Sequence, residues 1–135
     1  MKAHQTPIPV ASVELLASAV GEIEQAVSRP GAGDRYVSGH LGARRAAAAV
    51  LAARARPDGA GTPRDVWTVL PAVAPELTEW ARFFAAVTGR RIAVEAGLTH
   101  AVTVREADDL VRDAHNFLTV VAGLLVPAVA RPATR

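Results

Sequence analysis

Arg35 and His40 lie in the run Arg35-Tyr-Val-Ser-Gly-His40, with four residues between them. On a helix they stand a little over one turn apart, so the two side chains can flank one groove. An arginine offers a rigid fork of donors that suits a phosphate. A neutral histidine can take a proton from a ribose 2′-hydroxyl. Together they form the equipment of an endoribonuclease that needs no metal. The plainer reading of the same residues is a histidine at the edge of the core, beside Leu41, and a surface arginine.

A second constellation is basic. Arg44, Arg45, Arg54 and Arg56, with Arg90 and Arg91, concentrate positive charge in two segments. Arg45 and Arg56 are eleven positions apart, about three helical turns, so they project the same way. Arg44, Arg45, Arg56, Arg90 and Arg91 are therefore candidates for contact with nucleic-acid phosphates. Few aromatics are interleaved with them in the way single-strand binders use, and an ordinary charged surface has the same composition.

The acidic residues cluster at Asp108, Asp109 and Asp113, near His115. Asp109, Asp113 and Asn116 share one helical face. A metal there would need ligands from a facing helix, and Glu76, Glu79 and Glu95 stand in no ligand motif. The simpler expectation is a solvated face pairing with Arg105 or Arg112, with no metal and no cofactor. No phosphate-binding glycine loop, nucleophile elbow or zinc spacing occurs. Gly31-Ala-Gly33 is only a turn signal.

These groups need a scaffold, and the bulk composition supplies one. The 135 residues suit a single domain, and half of them are hydrophobic, many being alanine. The formal net charge is only +2, and Lys2 is the sole lysine. That arginine excess fits a GC-rich coding bias, and +2 is too small to argue for nucleic acid by itself. Without cysteine, disulfides, thiolate metal sites and cysteine nucleophiles are excluded. The start, MKAHQTPIPV, has no apolar signal-peptide core. The longest apolar run, residues 46–53, is far short of the ~20 residues of a membrane span. A soluble cytoplasmic protein without membrane contact is expected.

Helical periodicity dominates the chain. Val13, Leu16, Val20, Ile23 and Val27 recur at steps of three and four and predict an amphipathic helix over 11–28, capped by Ser12. Pro30, Gly31 and Gly33 end it. Asp34 is the expected N-cap of a small-residue helix reaching residue 56. Residues 56–63 read as a flexible connector. A short helix carrying Trp67 follows over 65–70. Pro75 opens another over 75–96, with Gly97 at its C-terminal cap. Thr103 and Glu106 have capping-box spacing. From Ala107 through Leu110, Val111, Ala114, Phe117, Leu118, Val121, Leu124 and Leu125 runs a continuous apolar stripe. The expected fold is all-α: an antiparallel four-helix bundle over 11–126 with one short additional helix. Residues 1–10 are a flexible N-terminus and 127–135 a tail.

Asp34-Arg35-Tyr36 at a helix start, followed by His-Leu-x-Ala-x-Arg-Ala-Ala-Ala-Ala-Val-Leu over 40–51, resembles the HEPN superfamily of small helical bundles. The name stands for higher eukaryotes and prokaryotes nucleotide-binding. Further elements of the resemblance are Val66-Trp67, the segment Ala74-Pro75-Glu76-Leu77-x-x-Trp80-Ala81-x-Phe83-Phe84-Ala85, and Thr103-x-Arg105-Glu106-Ala107-Asp108-Asp109-Leu110. They cover about residues 11–126, and the similarity is closest to a small bacterial branch from high-GC genomes.

The resemblance implies a homodimer, and a possible RNA, nucleotide or protein partner. HEPN ribonucleases carry an arginine and a histidine separated by four to six residues, usually late in the bundle. Here the late candidates, Arg112 with His115 and Arg91 with His100, have other spacings. Only Arg35 and His40 fit, and they sit early. Three readings follow: a non-catalytic module linked to nucleic acid or to a protein partner, a metal-independent endoribonuclease using Arg35 and His40, and a purely structural dimeric bundle. The alanine-rich segment could supply the dimer face or line a tightly packed interior.

Overall fold

The computed structural model describes residues 7–54, 65–98 and 100–126. Among the described residues there are five α-helices and no strand: α1 (Val10–Ser28), α2 (Ala32–Arg54), α3 (Val66–Val73), α4 (Thr78–Glu95) and α5 (Val104–Leu125). A 3₁₀ turn at Pro75–Leu77 leads into α4, so the helix expected from residue 75 begins tighter than an α-helix. Among the described residues no helix is long and apolar enough to cross a membrane.

α2 is the hub and packs against each of the other four helices. Its contacts with α1 run in opposite senses: Ser12 Oγ donates to the Ala49 carbonyl at 2.8 Å, and Arg45 reaches Glu22 at 2.9 Å. α4 also opposes α2, since His40 meets Phe84 and Gly33 meets Val94. α5 runs in the same sense as α2, with Arg35 beside Asp108 and Gly39 against Leu110 and Val111.

Small residues make these approaches possible. A Cβ at Gly42 would sit 2.5 Å from Ile23 Cγ1, and one at Gly39 would sit 3.0 Å from Leu110 Cδ1. Ala43, Ala46, Ala47, Ala49 and Val50 are wholly buried. These alanines therefore line the interior of the chain, while Ala48, Ala52 and Ala53 of the same helix are half-buried. Interiors are close-packed, so little volume can be added here without displacement.

α1 corrects the sequence reading. Its buried residues are Ser12, Ala19, Ile23 and Ala26. Val13, Val20 and Val27 stay 51, 39 and 69 % exposed. Ser12 is no cap, because its hydroxyl is spent on Ala49 and the helix begins at Val10 after Pro9. Asp34 likewise lies in the first turn of α2, which starts at Ala32, and does not precede the helix.

Other signals are realised. Thr103 Oγ1 accepts from the Glu106 N–H at 3.0 Å, and Glu106 Oε1 accepts from the Thr103 N–H at 2.9 Å. Gly97 has φ 99°, and the bonds Leu98 N–H to Ala93 O and Gly97 N–H to Val94 O close α4 in the Schellman manner. Asp65 accepts from the Trp67 N–H and starts α3, which runs past Pro71 to Val73. The stripe of α5 is buried from Ala107 to Val121.

Candidate functional site

The aromatic part of the core lies where α2, α3, α4 and α5 converge. Trp67 stacks on Phe84 with centroids 5.0 Å apart, and Phe117 meets Trp67, Trp80 and Phe84 at 5.3–6.0 Å. His40 stands edge-on to Trp67 and Phe84, each at 6.0 Å. It is 0 % exposed. Its Nε2 is 3.1 Å from the Phe84 carbonyl, which can only accept, so Nε2 carries the ring proton. The Thr88 hydroxyl also donates to that carbonyl, at 2.9 Å, and lies 3.3 Å from Nε2. Nδ1 is then a buried lone pair without a partner among the described residues.

Burial lowers the His40 pKa to about 4; the Phe84 carbonyl opposes this, and the charges of Arg91 and Arg44 add to it. The imidazole is therefore neutral at pH 7. It is also sealed, which matters more, because a general base must reach the proton it takes.

Arg35 faces elsewhere. Its Nη1 donates to the carbonyls of Arg29 and Pro30 at 3.1 and 3.0 Å. Its Nε lies 3.2 Å from Asp108 Oδ1, close enough for charge pairing but without the alignment of a hydrogen bond. Arg35 thus fastens the α1–α2 join to α5, whereas His40 points at α4. Five steps of 100° leave the two side chains about 140° apart around the helix. The structure does not bring them to one groove.

It does bring together two of the basic candidates. Arg44 of α2 and Arg91 of α4 line one cavity of about 340 Å³, with Asp65, Trp67, Ala85, Thr88 and Ile92. Arg91 is mostly covered and holds Glu95 through Nη1 at 2.7 Å. Trp67 is only 5 % exposed, and its indole nitrogen finds no partner among the described residues. His40 sits one layer behind this cavity, through Thr88 and Trp67. The charges of both arginines disfavour its protonated form.

The remaining candidates are dispersed. Arg45 is held by Ser18 and Glu22 on α1. Arg90 is paired with Glu106, which joins α4 to α5. Glu106 is held below the usual carboxylate range, first by the Thr103 backbone and then by Arg90. Arg56, and with it the proposed three-turn alignment with Arg45, lies outside the described residues. Arg54 pairs with Glu76 at 2.8 Å, and Arg112 with Asp109 at 3.3 Å. Among the described residues no group of three or more acidic and histidine side chains assembles where a metal could bind.

A family model matches residues 26–122, from the end of α1 almost to the end of α5, and it is that of the SAV_6107-like HEPN domains. The chain belongs to the HEPN family. No curated protein and no solved structure matches it. In this HEPN domain the lining residues Asp65, Trp67 and Thr88 stand in no binding motif of the sequence. Val66-Trp67 belonged to the family pattern, but only the packing of α3 on α4 reveals what Trp67 lines.

Proposed function

We propose that this HEPN domain is a non-catalytic binding module whose cavity at Arg44 and Arg91 takes a phosphate-bearing ligand, RNA or a nucleotide. One observation carries the reading: two arginines from separate helices line a single cavity, while the histidine behind it is sealed, neutral and oriented by a backbone carbonyl. Arginine forks suit phosphate, and the apolar neighbours Trp67 and Ile92 lower the local dielectric and strengthen such a contact. His40 then serves the scaffold, shaping the floor through Thr88. Should the domain pair with a second copy, the exposed valines of α1 are better placed for it than the alanines of α2.

The test is RNA binding by fluorescence anisotropy at several salt concentrations, alongside a cleavage assay free of metal. Arg91→Ala and Arg44→Ala should each weaken binding and flatten its salt dependence by about one phosphate contact. No cleavage should occur. Cleavage by native protein that vanishes in a folded His40→Ala variant would reinstate the endoribonuclease; binding indifferent to both arginines would remove the cavity from the account.

A further inference from the structure

A second cavity, of about 250 Å³, opens between α4 and α5 and is lined by Glu79, Trp80, Phe83 and Asp113. Its chemistry is the opposite of the first. The aromatic wall is fixed from behind: Trp80 lies over Phe84 and against Phe117, and Phe83 stands edge-on to Phe84 at 4.9 Å. Phe83 nevertheless remains 38 % exposed. Asp113 is half-buried beside these rings and, among the described residues, makes neither an ion pair nor a hydrogen bond. Its neighbour Arg112 is engaged with Asp109 instead. Burial pushes the Asp113 carboxyl up; Arg112 opposes this and Asp109 adds to it. Among the described residues Glu79 is held by Arg82 alone, in a highly exposed pair of the kind that holds weakly.

A carboxylate kept partly dry without a counter-ion, next to electron-rich rings, is costly for the fold and favourable for an incoming cation. Metal ions are poorly served, because the cavity offers two carboxylates and no further oxygen ligands. An organic cation meets both features. A guanidinium can lie against an aromatic surface and present paired N–H groups to a carboxylate. The cavity is large enough for the head and part of the stem of a side chain, and Phe83 would be covered by whatever carries that side chain.

We propose that the Glu79–Trp80–Phe83–Asp113 cavity is a docking site for an arginine side chain of a partner polypeptide. Asp113 supplies the counter-charge, Trp80 and Phe83 the aromatic wall, and Glu79 a second carboxylate at the rim. This site is independent of the Arg44–Arg91 cavity.

The experiment uses the full chain and follows the two tryptophan indole N–H resonances by NMR, with Trp80→Phe assigning them. The probes are N-acetyl-arginine-amide, its isosteric neutral citrulline counterpart, methylguanidinium, and a short end-capped peptide whose single charge is one arginine. The arginine probes should shift the Trp80 resonance saturably at millimolar concentrations and leave Trp67 in place. The citrulline compound should not saturate, and the peptide should bind more tightly than methylguanidinium because it also covers Phe83. Asp113→Asn, which preserves shape, should weaken the peptide by at least about tenfold with a melting temperature unchanged or raised. Glu79→Gln should weaken it less. Equal binding of arginine and citrulline, no saturable shift, or unchanged binding by folded Asp113→Asn overturns the site. A peptide no tighter than methylguanidinium overturns the polypeptide source.

Discussion

The two sides of α2 are built on different rules. Toward α1 the contact is made of small groups: Gly42 against Ile23, Ala19 and Ala26 in the interior, and a Ser12 hydroxyl closing on Ala49. Toward α3 and α4 it is made of rings, with His40 edge-on to Trp67 and Phe84. Small groups let helices approach until little space remains. Rings hold helices further apart and pack at fixed angles, leaving gaps between them. Both cavities described above are lined by aromatics of α3 or α4, and three of the buried polar atoms without a partner among the described residues, His40 Nδ1, Trp67 Nε1 and Arg91 Nε, lie on the same side, while Arg29 Nε and Arg35 Nε lie at the α1–α2 join. Binding capacity has followed imperfect packing.

If the contrast holds, the ring side should fail by deletion and the small-residue side by addition. Phe84→Ala, at the centre of the rings, should cost about 3–5 kcal/mol in urea unfolding. A loss below 1 kcal/mol would mean that the rings are not the main support.

The ring side should also carry the acid sensitivity. The unfolded chain protonates His40 near its ordinary 6.5, whereas the folded chain resists until about 4. As pH falls from 6.5 towards 4 the unfolded state takes up the proton first, so stability drops, and below about 4 the loss is complete. The interval between the two values limits it to about 3 kcal/mol. His40→Gln keeps a donor for the Phe84 carbonyl and should flatten this part of the pH profile, measured by chemical unfolding at each pH.

On the small-residue side, Gly42→Ala should lose about 1–2 kcal/mol net. The displacement of Ile23 outweighs the ~1 kcal/mol that alanine gains in a helix. A stabilised variant would show that α1 can move aside freely. Smallest of all, Thr103→Ala removes one cap from α5 on neither side and should cost about 1 kcal/mol in the same assay.

How far the sequence discloses each region follows from the same contrast. α5 was legible throughout: its capping box and its stripe from Ala107 to Val121 are both realised, because polar and apolar residues alternate strongly there. α1 was legible as a helix but not in its facing. Its valines are the more hydrophobic choice, yet α2 accepts only the smaller Ser12, Ala19 and Ala26 across most of the contact. The basic density at Arg44 and Arg91 could be seen, but their convergence could not, since it depends on how α4 crosses α2. The divergence of Arg35 and His40 was within reach of helical geometry alone, for five positions fall well short of two full turns. Asp113 looked like one member of a solvated acidic face, and only its neighbours Trp80 and Phe83 set it apart.

The join between α1 and α2 is three residues long, Arg29 to Gly31. Closing so short a loop takes little chain entropy. Contacts such as Ile23 with Gly42 are therefore expected to form early in folding, as a local hairpin. Those of Phe117 with the other rings must wait for the chain between α2 and α5 to come round. Mutations at Ala19 or Gly42 should then slow folding, whereas truncation of Phe117 should mainly speed unfolding. The order in which the chain assembles would place the ring side, with both cavities, among the last parts to close and the first to open.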